Sequence, residues 1–274
     1  MSDSTQIEPP VFGAYAPSAL QQRIIAFARA TPLHHGRLRN GVVRLLAHVR
    51  PGPIDWRVGG GAFRLRLDHN GTDRALLLKP DFEASEIAFL AATACDGVFV
   101  DVGANVGAYT ILVSAATGGG CRVLAIEPLK ILADQLRANA ALSGFDKVTV
   151  LGHALSAKEG ELPLRVNGAN LGASAIGGKG DYMVRARPLL DTILDAGIAA
   201  VDALKIDIEG HEDRVLVPFF SAAPRSLWPR RIVIEHLHRA AWQRDCIADM
   251  LARGYAVTGK TRTNLLLSLN SRSS

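Results

Sequence analysis

Asp101, Glu127, His153, Asp207 and Glu235 each stand where an apolar run gives out: FVDVGANVG, VLAIEP, VTVLGHAL, LKIDIEGHE and IVIEHLH. Carboxylates and imidazoles are costly to bury without partners, so a set of them at the ends of apolar segments reads as a set kept for a ligand. The densest stretch is KIDIEGHE, residues 205–212. If it stays extended, Asp207 and Glu209 share a face. Gly210 then lets the chain turn into a helix, with His211 near its N-terminus. Asp207, Glu209, His211 and Glu235 are the candidate catalytic residues, because such groups can take the proton of an attacking hydroxyl. Plainer roles compete with that one. Asp207 can cap a helix or pair with Lys205. Glu212 reads best as a first-turn acid favoured by the helix dipole. His211 divides evenly between base and structural group. An Asp, a Glu and a His across a cleft also suffice as donors for a hard or borderline divalent ion. The spacing matches no recognised metal motif, so no residue is assigned as a metal ligand, and hydrogen bonding is the plainer role for Glu235. Alternation sets Glu235 opposite His236, so the two histidines of IVIEHLH cannot both face a cleft with it unless the strand ends there.

The elements around these residues alternate. Strands are expected at 98–102, 121–128, 147–155, 203–210 and 230–238, and helices at 82–93, 107–116, 129–142, near 188–196, 211–220 and 239–252. A β hairpin over 255–269 closes the chain. Alternating strand and helix implies an α/β fold with a doubly wound, mainly parallel sheet, and such sheets bind ligands at the carboxyl ends of their strands. Ahead of this lie an apolar helical periodicity over 21–50, a break at Pro51-Gly52-Pro53, and a run over 56–79 that alternates like two strands around DHNGTD, a second hairpin. Residues 1–20 read as poorly ordered. The expected organisation is an N-terminal extension over 1–80 and a catalytic domain over 81–274. NGANLGASAIGG, 167–178, is either a mobile lid or a plain connector.

The strand–glycine loop–helix unit at 98–110 suits a dinucleotide or S-adenosylmethionine. A dinucleotide loop reads GxGxxG. Here Gly103 and Gly107 flank Ala104-Asn105-Val106, so the middle glycine is missing. Asp101 would repel a pyrophosphate in a low-dielectric cleft but attract an ammonium and a sulfonium. Glu127 can accept both ribose hydroxyls of either ligand. The glycines alone are equally well explained by a tight turn and close packing.

VFVDVGANVGAYT, IEP, DALKIDIEGHE and IVIEHLH together resemble the FkbM-type branch of the class I S-adenosylmethionine-dependent methyltransferases, over about residues 80–268. That resemblance implies a Rossmann-like, seven-stranded sheet with a reversed last strand. It implies a cofactor site at Asp101, Gly103, Asn105, Gly107, Glu127, Pro128, His153 and Ala154, the last two beside adenine. It implies methylation of a hydroxyl on a saccharide or polyketide-type metabolite, without fixing the acceptor. A dinucleotide-dependent oxidoreductase and a non-catalytic S-adenosylmethionine-binding protein are the rival readings.

The chain has 274 residues, 48% of them hydrophobic, enough to build a sizeable core. Cys95, Cys121 and Cys246 have no metal or redox spacing and read as buried small hydrophobes in a reducing compartment. With no signal-peptide pattern and no apolar run of membrane-spanning length, a cytoplasmic protein is expected. The net charge of +5 is uneven: between Glu8 and Asp55 there are arginines and histidines and no acid. A solvated basic helix pair is the plain reading; a surface for a phosphate-bearing substrate, an acidic partner or a membrane face is the functional one. Asp3, Glu8 and the scarcity of serine speak against a transit peptide, and the scarcity of aromatics against nucleic acid. A small-molecule or glycan acceptor is the expected partner, and a homo-oligomer is compatible with the sequence.

Overall fold

The structure, a computed structural model, describes residues 11–177 and 180–270. In chain order its helices and strands are α1 (Ala19–Arg29), α2 (Gly36–Val49), β1 (Ile54–Val58), β2 (Gly61–Leu65), α3 (Gly71–Leu78), α4 (Ala84–Ala94), β3 (Val98–Val102), α5 (Ala108–Ala116), β4 (Arg122–Ile126), α6 (Lys130–Ser143) and β5 (Val148–Leu151). Then come β6 (Ala154–Leu155), β7 (Gly160–Arg165), β8 (Ala175–Ile176), β9 (Tyr182–Arg187), α7 (Leu189–Asp195), β10 (Ala203–Ile206), α8 (Glu212–Ala222), β11 (Arg231–Glu235), α9 (Cys246–Ala252), β12 (Tyr255–Lys260) and β13 (Asn264–Leu269).

The central sheet has seven strands in the order β12-β13-β11-β10-β3-β4-β5. β11, β10, β3, β4 and β5 pair parallel, while β13 inserts antiparallel between β11 and β12. This is the doubly wound α/β sheet with a reversed last strand that the alternation and the resemblance called for. Its inner strands are apolar on both faces because helices cover both. Phe99, Val123, Ala203 and Val233 face one layer, and Val100, Leu124, Leu204 and Ile232 the other.

The first layer also receives the N-terminal helices. Ile25 and Ala28 of α1, with Val42 and Leu46 of α2, belong to one buried group with Phe63, Leu76, Phe99 and Ile111. α1 starts at a capping box: Ser18 Oγ accepts from Gln21 N at 3.2 Å, and Gln21 Oε1 accepts from Ser18 N at 3.0 Å. The expected disorder of the start does not hold for 11–20, since Asp55 accepts from Gly13 N and Tyr15 N at 2.7 and 3.2 Å and holds that segment. Residues 1–10 lie outside the described part. The helices are not simply solvated either: Arg29 donates to Leu77 O at 3.0 Å.

Several boundaries differ from expectation for identifiable reasons. The N-terminal hairpin is β1–β2, turning at Gly59 and Gly60, and DHNGTD instead starts a helix. Asn70 caps α3 by accepting from Thr72 N at 2.9 Å, and Leu76, Leu77 and Leu78 are buried behind it. The expected strand over 147–155 breaks after Leu151, and β6 joins a separate sheet ordered β6-β9-β7-β8. β10 stops at Ile206, before Asp207, and β11 at Glu235; a 3-10 turn over Arg239–Ala241 then delays α9 to Cys246. Cys121 and Cys246 are buried as expected, but Cys95 is exposed. Among the described residues no helix is long and apolar enough to cross a membrane.

Candidate active site

β3 and β10 lie side by side with Asp101 opposite Lys205. Lys205 Nζ donates to Gly103 O at 2.8 Å and stands 3.7 Å from Asp101 Oδ1. Thr110 Oγ1 donates to Asp101 Oδ2 at 2.6 Å. Asp101 is thus sealed beneath the glycine loop, fully buried, and does not line the cleft. Burial pushes its pKa up, opposed by Lys205 and Thr110. Lys205, read from sequence as a partner for Asp207, is instead the cation that ties Asp101 to the loop backbone.

The loop above is shaped by close approach. Gly103 has φ +73°, and a Cβ there would fall 2.0 Å from Asp207 O. Gly107 has φ +87° and would meet Leu136 Cγ at 2.8 Å; it starts α5 rather than lining the cleft. Asn105 N donates to Glu127 Oε2 at 2.9 Å, and Leu129 N to Glu127 Oε1 at 2.9 Å. One carboxylate therefore fixes both loops and keeps a free lone pair on each oxygen. Burial raises the Glu127 pKa to about 7.

Gly103, Asn105, Glu127, Pro128, His153 and Ala154 line one cleft with Asp207, Glu209 and His211, around about 590 Å³ of space partly open to solvent. A glycine backbone and strand-end carboxylates are the groups an adenosyl cofactor would meet here. His153 Nε2 lies 3.2 Å from Thr192 Oγ1, and its pKa is lowered by burial and by Arg187 and Arg185. Leu164 and Ile176 of the separate small sheet, with Ser174 just before β8, also line the cleft. The segment 167–176 is also tied down: Asn170 Oδ1 accepts from Gly71 N at 2.8 Å and Leu171 N donates to His69 O at 2.8 Å. Asn70 Nδ2 donates to Asn105 Oδ1 at 2.7 Å, so the N-terminal extension reaches the glycine loop itself.

Glu212 shapes the turn after β10. It is fully buried; its Oε1 accepts from Ile208 N at 2.8 Å and its Oε2 from Trp242 Nε1 at 2.8 Å. Glu209 leaves the extended geometry expected of it, with φ +56°. His211 precedes α8, with Nε2 3.3 Å from Ser156 Oγ and a pKa lowered by burial and Arg214. Because β11 ends at Glu235, alternation no longer applies beyond it. His236 Nδ1 turns away to Thr263 O at 2.7 Å, while His238 Nδ1 returns to within 3.1 Å of Glu235 Oε2 and 3.5 Å of Glu209 Oε2. Burial and Asp207 raise the Glu235 pKa to about 7, with His238 opposing them. Burial and Asp207 likewise raise that of Glu209, and hydrogen bonding to Glu235 raises that of His238. His238 was not among the assigned residues; its three-residue spacing from Glu235 is the signal that marks it once the strand ends.

Residues 101–256 match the methyltransferase FkbM domain, a span of more than half the chain. The chain belongs to that family. An FkbM methyltransferase is an S-adenosylmethionine-dependent enzyme. Solved methyltransferases align with this FkbM protein at low similarity. The precorrin-6y C5,15-methyltransferase of Geobacter metallireducens is 14% identical over 70% of this chain and 89% of that one, with a TM-score of 0.45. The O-methyltransferase of Bacillus cereus in complex with SAH is 14% identical over 68% and 81%, with a TM-score of 0.41. No curated protein matches the chain.

Proposed function

We propose that this methyltransferase transfers the methyl group to a hydroxyl oxygen of a saccharide or polyketide-type metabolite in the cytoplasm. The observation that carries the reading is the Glu235–His238–Glu209 cluster beside Asp207, at the strand ends next to the glycine loop. When bound, S-adenosylmethionine supplies a methyl group already activated on a sulfonium. Glu127 accepts hydrogen bonds from the ribose hydroxyls, Gly103, without a side chain, lets the rest of the cofactor approach the loop, Asn105 fixes Glu127 through its backbone N–H, and His153 and Ala154 border the base. Asp101 acts from beneath, holding Lys205 against the loop carbonyls. Asp207 and Glu209 orient the acceptor hydroxyl, and Glu235 takes its proton as the oxygen attacks in line with the breaking carbon–sulfur bond. His211, held neutral and facing Ser156, positions the acceptor from the side of the small sheet.

Titration with S-adenosylmethionine, S-adenosylhomocysteine, NAD and NADP, followed by a screen of hydroxylated acceptors, tests this reading. Binding of the first pair alone, with methyl ether formation, is expected. Preference for a nicotinamide nucleotide would restore the oxidoreductase reading. Cofactor binding with no turnover on any acceptor would favour a non-catalytic binding protein.

A second reading concerns a metal. Glu209, Glu235 and His238 can bring one ligand atom each within 4.8 Å of one another, the donor set of a borderline divalent ion. Such an ion would lower the pKa of the acceptor hydroxyl directly. Proton transfer to Glu235 requires none, so activity is expected to survive exhaustive chelation. Loss in chelator with recovery on adding magnesium or manganese would shift the reading to the metal.

A further inference from the structure

A second, larger hollow lies on the other side of the 66–74 segment from the cofactor cleft. It holds about 1630 Å³ of space, partly open to solvent, between α2, the Pro51–Pro53 turn and the chain entering α3. Arg44, Arg50, Arg66 and Arg74 line it, and Asp68 is the one acid among its lining residues. Asp68 faces His69 at 2.9 Å. Among the described residues none of these arginines is in an ion pair with a carboxylate. Arg50 is held by backbone carbonyls, donating to Tyr15 O at 3.3 Å and Ala16 O at 2.8 Å. Arg74 is held likewise, by Leu67 O and Asp68 O at 2.7 Å each and by Ala169 O at 3.4 Å. Arg39, on the same helix as Arg44, has a buried Nε with no hydrogen-bond partner. Burial, Arg74 and Arg262 together lower its pKa.

Gathered guanidinium groups repel one another, and Asp68 and, for Arg66, the buried Asp73 offset that repulsion only in part. Fixed guanidinium forks, part of whose donors are satisfied by carbonyls, lose little further freedom on meeting an oxyanion. Val43, Pro51 and Pro53, which keep accessible surface, form an apolar floor beside them. A bulk counter-ion would use the charge but not that floor. We propose that this hollow binds the phosphate group of a phosphorylated small molecule, with the molecule's carbon skeleton resting on Val43, Pro51 and Pro53. The same segment carries Asn70, which bonds Asn105 of the glycine loop, and Arg74, which bonds the wall at Ala169. A ligand gripped by Arg66 and Arg74 would therefore steady both sides of the methyl-transfer cleft.

The test uses the full chain with inorganic pyrophosphate and a nucleoside diphosphate as probes, at about 0.15 M salt so that long-range attraction is screened. Calorimetry should give saturable binding, and hydrogen exchange should slow over 44–54 and 66–74. The double variant Arg44→Gln/Arg66→Gln should lose at least roughly tenfold in affinity for both probes, as expected for losing bidentate contacts. Its affinity for S-adenosylhomocysteine should stay unchanged, because neither arginine touches that cleft; this separates the proposal from the cofactor assignment. Arg44→Lys keeps the charge, serves if the double variant does not fold, and should lose several-fold. No saturable binding, equal binding of sulfate and pyrophosphate, or unaltered affinity in the arginine variants would overturn the proposal. Binding of anionic lipid vesicles without binding of either probe would overturn it too and assign the arginines to a membrane surface.

Discussion

At the residue scale, the proposed mechanism makes the Glu235 carboxyl decide when the site can work. Its pKa of about 7 leaves it half protonated near neutrality, and only the ionised form takes a proton. Turnover is therefore expected to rise with pH through about 7 and then level off. Glu235→Gln should lower kcat by about 10²- to 10⁴-fold while leaving the affinity for S-adenosylhomocysteine intact. His238→Ala should move the rise to higher pH, since His238 holds the Glu235 pKa down. A pH–rate profile identical in wild type and His238→Ala would remove Glu235 from the role of base. Glu127 offers a separate readout, because burial places its pKa at about 7 as well, but on the cofactor side. Affinity for S-adenosylhomocysteine should weaken as pH falls below about 7, where the protonated carboxyl accepts hydrogen bonds poorly. Glu127→Gln should weaken it roughly 10- to 100-fold at high pH and flatten that dependence. Most of these residues can be found from sequence because each ends an apolar run. Asp101 illustrates the limit: its position in the chain is apparent, but its burial under Lys205 depends on how β3 and β10 pair, which no local pattern records.

At the element scale the parallel strands are legible because burial on both faces leaves unbroken apolar runs such as VLAI, Val123 to Ile126. The separate sheet of β6 to β9 is not, since β6 and β8 are two residues long and β7 carries exposed charges among its apolar positions. The run through Asn70-Gly71 misleads for another reason: the pair is a hairpin turn in most alternating contexts, yet Asn70 serves here as a helix cap. The real hairpin depends on an ion pair. Asp55 of β1 meets Arg64 Nε of β2 at 2.8 Å and accepts the amides of Gly13 and Tyr15. Burial alone would raise the Asp55 pKa, but Arg64 and those amides hold it below the ordinary carboxylate value. A depressed folded-state pKa means that the stability contributed is full above the unfolded value of about 3.9 and is lost as pH falls through the folded one. Asp55→Ala should cost about 2 kcal/mol in denaturant unfolding at pH 7, and the difference from wild type should shrink below about pH 4. An undiminished difference in acid would mean that packing, not charge, holds the hairpin.

At the scale of the whole molecule, the helices that precede the FkbM match are built into the layer that covers the sheet. Leu46 of α2 is fully buried in the same apolar group as Phe99 of β3 and Ile111 of α5. Residues that share one close-packed core cannot loosen independently without opening cavities beneath them. Asn70 and Arg74 add polar links from this N-terminal part to the glycine loop and to the cleft wall. One cooperative thermal transition is therefore expected for the full chain, seen alike by near-ultraviolet dichroism, calorimetry and loss of S-adenosylhomocysteine binding. Leu46→Ala should remove about 3 kcal/mol by leaving a cavity, lowering that single transition by roughly 5 °C in a chain of this size. If the N-terminal helices instead formed an appendage, the same substitution would split off an early transition and leave the cofactor-linked one in place. Two resolved transitions in Leu46→Ala would thus contradict the shared core, whereas a single shifted one would make these helices part of the machine that holds the site together.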